Sequence, residues 1–148
     1  MKMINGDRNV IKSIENFWTR KLIYRAGAYV KRAKGRIDDA IKDLKEAVSI
    51  YKEVHDKANG INFNVGFSYV ELGELELDRN CPSEALRHFE NALSQWKGIY
   101  GDGDAASNEW VATTYGFIAR CHKTQGKDKL ADEFKNKCIE MYEKTRKK

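Results

Sequence analysis

The stretch that fixes the architecture is Cys81–Trp96, with the sequence CPSEALRHFENALSQW. Apolar side chains recur in it every three or four residues, which places them on one face of an α-helix. The small residues Ala85 and Ala92 stand on that face, and Pro82 suits its first turn because the missing N–H is not needed there. We expect the alanines to let a neighbouring helix approach closely. The large residues that fill the space beside them are Leu86, Phe89, Leu93 and Trp96.

The same pattern occurs twice more in the chain. The alanines that open it, Ala40, Ala85 and Ala131, lie 45 and 46 residues apart. In the last copy Phe134 stands one position ahead of the place that corresponds to Phe89. A fixed period over three units is the signature of a stacked repeat array. The same two intervals separate Ala47, Ala92 and Cys138, and also Tyr51, Trp96 and Tyr142.

A turn residue also recurs at the same position of all three repeats. Gly35, Asn80 and Gly126 occupy the same repeat position, 45 and 46 residues apart. Glycine and asparagine are the residues that most readily adopt a positive φ angle. We therefore expect the same sharp turn between the first and the second helix of each repeat.

The apolar periodicity predicts six helices, and no strand pattern competes with it. The stretch from Asp7 to about Lys34 is either one long helix or two helices joined by a kink near residues 18–21. Loops are expected at residues 58–60 and 101–103, and Asp104 is a candidate cap for the fifth helix. The other expected helices are Ile37 to His55 or Lys57, Asn62 to Asp78, Pro82 to Ile99 or Tyr100, a fifth that ends at Gly126, and Asp128 to Glu143.

Composition restricts the class of protein. The 148 residues suit one domain, and 41% hydrophobic content with a single proline fits a soluble, helix-rich chain. No apolar run approaches the length of about 20 residues that spans a bilayer, and the start has no signal-peptide pattern. The chain has three cysteines, an odd number, and their spacing matches no metal site. This suggests a protein of the reducing cytoplasm. The net charge of +5 permits an acidic partner without requiring one.

The repeated residues resemble the tetratricopeptide repeat, and the period of 45 or 46 residues resembles the longer repeats of the kinesin light chain type. The resemblance implies an all-α, right-handed superhelix of three helix-turn-helix repeats, at about residues 18–58, 61–100 and 104–146 of a single domain. The matching positions are Tyr69, Leu72, Gly73, Ala85, Phe89 and Ala92 in the middle repeat; Tyr115, Ile118, Ala119, Gln125, Gly126, Ala131 and Cys138 in the third; and Tyr24, Ala28, Gly35, Ala40, Leu44 and Ala47 in the first.

The resemblance also implies a function. In such arrays the first helix of each pair lines a concave groove, so we expect a non-enzymatic adaptor or scaffold that binds a peptide there. The groove positions are basic at the two ends and acidic in the middle, which predicts a peptide of mixed charge with an apolar anchor, and the arginines could bind its carboxylates. By repeat register the groove positions are Arg25, Tyr29, Arg32, Phe67, Val70, Glu71, Glu74, Asp78, Thr113, Gly116, Phe117, Arg120 and Lys123.

A second surface is expected on the last helix, because no later residues in this sequence cover its apolar side chains. Such patches often mark protein interfaces, which suggests a homodimer. Residues 10–18 add further apolar surface at the other end. The residues of the last helix concerned are Leu130, Phe134, Met141 and Tyr142.

Reactive chemistry has little support in the sequence, and no cofactor is expected. Cys121, His122 and Cys138 lack an evident fourth zinc ligand, and a calcium loop at Asp102 would require a glutamate where Thr113 stands. Nucleic-acid binding is an alternative raised by the basic charge, but the cations are interleaved with acidic residues. A client-specific chaperone or regulatory subunit is a third possibility.

Overall fold

The computed structural model describes residues 28, 30–55, 63–101 and 108–146, and within these ranges every regular element is an α-helix. The second to sixth predicted helices are confirmed, with ends that differ by at most a few residues. The bulk of the first predicted helix and the loops at residues 58–60 and 102–103 lie outside the described residues. The helices are α1, of which residues 30–33 form the last turn, α2 Ile37–His55, α3 Phe63–Asp78, α4 Pro82–Tyr100, α5 Glu109–Thr124 and α6 Asp128–Arg146.

Consecutive helices pack side by side. The tightest pairs are α3 with α4 and α5 with α6, and these correspond to the second and third repeats. The contacts of α2 with α3 and of α4 with α5 join one repeat to the next. Among the described residues no helix is long and apolar enough to cross a membrane.

The three predicted turns are present and identical in hydrogen bonding. Gly35, Asn80 and Gly126 have φ angles of 76°, 61° and 76°. The N–H after each turn donates to a carbonyl five residues earlier, which is the Schellman arrangement that closes a helix. The three bonds are Arg36 to Lys31 at 2.8 Å, Cys81 to Glu76 at 2.8 Å and Lys127 to His122 at 2.9 Å.

The cap of α5 differs from the prediction. Asn108, not Asp104, precedes the helix, and its side chain accepts hydrogen bonds from the N–H groups of Trp110 and Val111 at 3.0 and 3.1 Å. The prediction of Asp104 was wrong because either residue type can cap a helix, and the choice depends on which backbone is extended before the first turn. Asn108 has that extended backbone, with φ −146° and ψ 167°.

The core lies between the helix pairs, on the faces that the repeat predicted. Trp96 and Phe89 are completely buried. An added Cβ at Gly73 of α3 would lie 2.4 Å from the Phe89 ring, so the absence of a side chain there lets α3 and α4 approach closely. The predicted face of α2 is buried throughout, at Ala40, Ile41, Leu44, Ala47, Val48 and Tyr51.

Candidate protein-binding surfaces

The first helices of the repeats meet on one side of the molecule. Arg32, in the last turn of α1, forms ion pairs at 3.2 Å with Glu74 and at 3.2 Å with Asp78 of α3. Three predicted groove residues, Arg32 of the first repeat and Glu74 and Asp78 of the second, are therefore neighbours. The two carboxylates occupy the Arg32 guanidinium, so this cation is already partnered within the chain.

An aromatic cluster of Phe63, Phe67 and Trp110 lies at the start of α3 and α5. Trp110 packs edge-on against both phenylalanines, with ring centroids 5.5 Å from Phe63 and 5.2 Å from Phe67. Phe63 also contacts the buried ring of Trp96 at 5.4 Å, yet 40% of Phe63 remains exposed. On α3, Phe63 and Phe67 share a face with Glu74 because they precede it by eleven and seven residues.

The sequence identified Phe67 as a site residue and missed its two neighbours. Phe63 stands four residues before Phe67, and this spacing is the signal that could have identified it. Trp110 has no such signal in the sequence. The contact of Trp110 with α3 depends on how the third repeat packs against the second, and a local sequence pattern does not specify this packing.

The other end of this side is formed by α5. The Phe117 ring stacks on Phe89 with centroids 5.0 Å apart and an angle of 4° between the planes. The guanidinium of Arg120 lies 5.7 Å from the centre of the Phe117 ring and is exposed. Among the described residues Arg120 forms no ion pair with an acidic side chain.

The remaining predicted groove residues have varied surroundings. Val70 lies in the hydrophobic core with 3% of its surface exposed. Lys123 forms an ion pair at 3.2 Å with Asp128. Thr113 is hydrogen-bonded through Oγ1 to the Tyr142 hydroxyl at 2.7 Å. Glu71 and Gly116 are half-buried, and Arg25 and Tyr29 lie outside the described residues.

Three of the four α6 residues predicted for self-association are partly covered by their own chain. Phe134 packs against His122 at 5.2 Å and Tyr115 at 6.1 Å. Leu130 and Met141 are half-buried, and Tyr142 is 39% exposed. The most exposed large apolar residue of α6 is Ile139, at 46%, which the prediction did not include. It lines a groove of about 510 Å³ between α5 and α6.

The buried titratable side chains of α5, Cys121 and His122, have the surroundings of packed core residues. Burial raises the pKa of the Cys121 thiol to about 11, so the thiol stays protonated at neutral pH and is a poor nucleophile. His122 is 6% exposed and lies against Phe134. Within the described ranges, no three His, Cys, Asp or Glu side chains converge in a way that could hold a metal ion.

Comparison with known families agrees with this architecture. A family model described as tetratricopeptide repeat matches residues 65–144, which is more than half of the 148 residues. A comparison with curated proteins found no match. The matched region runs from α3 to α6 and includes two of the three identical turns. The chain therefore belongs to the tetratricopeptide repeat family, whose repeats are generally protein–protein interaction modules and typically non-enzymatic.

Proposed function

We propose that this protein is a non-enzymatic adaptor that binds a peptide segment across the side formed by α1, α3 and α5. The observation that carries the proposal is the aromatic cluster, which leaves Phe63 40% exposed on that side. Aromatic residues and arginine contribute much of the affinity in protein interfaces. Arg120, exposed and without an acidic partner among the described residues, supplies the second element at the other end of α5.

The positions of these groups define the chemistry of the ligand. A bulky apolar side chain would pack on Phe63, Phe67 and Trp110, while a carboxylate would pair with Arg120. Trp110 and Arg120 are ten residues apart on one helix, which corresponds to roughly 15 Å. An extended peptide covers that distance in about five residues. The ligand should therefore carry an acidic residue about five positions from its apolar anchor.

The partnered cations limit this ligand further. Arg32 is held by Glu74 and Asp78, and Lys123 is held by Asp128. A ligand carboxylate would need to displace these partners, so we assign the main electrostatic contact to Arg120 alone. The sequence suggested that several arginines of the groove bind carboxylates of the ligand. The proposal keeps one such contact, at Arg120.

Peptides selected from a random displayed library on the purified chain would test the proposal. We expect the selected peptides to share an apolar residue and an acidic residue at the stated spacing. Phe63→Ser and Arg120→Glu should each weaken binding of the best peptide at least tenfold. Lys97→Glu, on the exposed surface of α4, is the matched charge-reversal control and should leave binding unchanged. Equal binding by all four proteins would contradict the proposal.

The two alternatives stay predictions without a supporting contact of their own. Nucleic-acid binding would appear as a steep loss of affinity for generic RNA with rising salt. A client-specific chaperone or regulatory subunit would co-purify with a single partner at fixed stoichiometry.

A further inference from the structure

The groove between α5 and α6 repeats one that is filled inside the molecule. In the second repeat, α5 lies in the groove between α3 and α4. Its Phe117 ring stacks on Phe89, and its Thr114 hydroxyl accepts a hydrogen bond from the Trp96 indole. In the third repeat no described helix fills the corresponding groove, of about 510 Å³. Its shape therefore fits an α-helix.

At equivalent repeat positions the two grooves have similar small residues but different large residues. The floor of the open groove includes Ala131 and Cys138, at the repeat positions of Ala85 and Ala92, and Ile139 stands at the repeat position of Leu93. Lys135 replaces the buried Phe89, and Asp132 replaces Leu86. The occupant should consequently be a helix that brings an apolar residue to Ile139 and opposite charges to Lys135 and Asp132.

The exposed stripe of α6 itself meets this requirement. Five exposed residues share one face of the helix and lie at −7, −4, 0, +4 and +7 from Ile139. Charges at mirrored positions are opposite, since aspartate is matched with arginine and lysine with glutamate. None of the four charged residues forms an ion pair among the described residues. The stripe consists of Asp132, Lys135, Ile139, Glu143 and Arg146.

We propose that the open groove is a homodimer interface in which α6 of a second copy lies antiparallel to α6, with Ile139 at the two-fold axis. In this arrangement Lys135 stands level with the second copy's Glu143, and Asp132 stands level with the second copy's Arg146. Such an interface is self-complementary, as two-fold symmetry requires. Arg120 also lines this groove, so the interface adjoins the proposed peptide site, but Ile139 and the charged residues of the α6 stripe take no part in the proposed peptide contacts.

The mass of the chain in solution provides the first test. Sedimentation at tens of micromolar should give a dimer of about 34 kDa, twice the 17.0 kDa of one chain. Ile139→Lys should weaken the dimer at least tenfold without unfolding it, because Ile139 is 46% exposed. The matched control is Ile99→Lys, at a residue of α4 that is 38% exposed, and it should remain dimeric.

Charge reversal tests the proposed register. Lys135→Glu and Glu143→Lys should each weaken the dimer about tenfold, and the double variant should recover the wild-type dissociation constant. Rescue within one helix is excluded because the two residues are eight positions, or about 12 Å, apart along the axis. A monomeric wild-type chain, or a dimer insensitive to Ile139→Lys, would overturn the proposed interface. A dimer that Ile139→Lys disrupts but the double variant does not rescue would overturn the antiparallel register.

Discussion

The indole Nε1–H of Trp96 donates a hydrogen bond of 3.0 Å to the hydroxyl of Thr114, and both side chains are completely buried. The Thr114 hydroxyl in turn donates to the Trp110 carbonyl oxygen at 2.7 Å. Trp96 belongs to the second repeat and Thr114 to the third. This relay therefore joins two repeats through their shared core, where an unmade hydrogen bond is costly.

Thr114→Val should destabilise the fold because the indole N–H of Trp96 would remain buried without an acceptor. The expected loss is about 1–3 kcal/mol in the free energy of unfolding, measured by urea denaturation. Thr113→Val is the matched control, since its hydrogen bond to Tyr142 is exposed to water. The control should cost less, and equal losses at the two positions would contradict the assigned role of the relay.

Gly73→Ala should destabilise the pair of α3 and α4. The new Cβ would lie 2.4 Å from the Phe89 ring, which is completely buried, so the ring or the helix must shift. We expect a cost of about 1–3 kcal/mol by the same denaturation measurement. At Gly116 the nearest atom to a new Cβ is the Cys138 Sγ, at 3.4 Å. Gly116→Ala should therefore be neutral or stabilising, by up to about 1 kcal/mol.

Gly126→Ala should be costly even though no atom of another described residue, apart from its chain neighbours, lies within 4 Å of the added Cβ. The cause is the backbone, because φ is 76° and an alanine pays about 1–2 kcal/mol in the left-handed region. Gly126→Asn should cost less, since Asn80 adopts a φ of 61° at the equivalent turn. Thermal melting of the two variants measures the difference, and alanine performing as well as asparagine would refute the explanation.

Acidic pH should destabilise the protein through His88. Burial, with smaller contributions from Arg87 and Lys45, lowers its pKa from 6.5 to about 4, and Glu84 opposes the shift weakly. Between these two values the unfolded chain binds a proton that the folded chain does not. The free energy of unfolding should therefore fall as the pH drops from about 6.5 to about 4.

A substitution at His88 separates this effect from general acid denaturation. Both ring nitrogens of His88 are buried and have no hydrogen-bond partner in the described part of the chain, and the ring faces Tyr69 at 6.3 Å. The third repeat has Phe134 against Tyr115 at the equivalent place. His88→Phe should accordingly remain folded and show a smaller loss of stability over the same pH range. An unchanged pH profile would show that other groups control the acid response.

The repeat pattern predicted the architecture because helix ends and apolar faces depend on residues close together in the chain, and these residues recur at a fixed interval. Helix ends followed from Gly35, Asn80 and Gly126, where the backbone must turn with positive φ. Buried faces followed from the spacing of apolar residues, as on α2. These properties depend on residues within a few turns of one another, which the sequence lists directly.

The candidate surfaces depend on contacts between distant residues, and there the sequence was less informative. Arg32 was predicted to line the groove, where it could bind a ligand carboxylate, and the structure places it against Glu74 and Asp78 of its own chain. Phe134 was predicted to be exposed, but its shift by one position turns it towards Tyr115 and His122. A charge pair or a ring contact of this kind forms only when separate helices are brought together.

The sequence alone thus determined that the chain forms paired helices with three identical turns and a repeating apolar face. Only the tertiary structure decided that Phe63, Phe67 and Trp110 form one cluster and that Ile139 is the most exposed large apolar residue of α6. The physical reason is that periodicity specifies which face of a helix is apolar. Which neighbour covers that face, and how much of it remains open, depends on the packing of helices that are far apart in the chain.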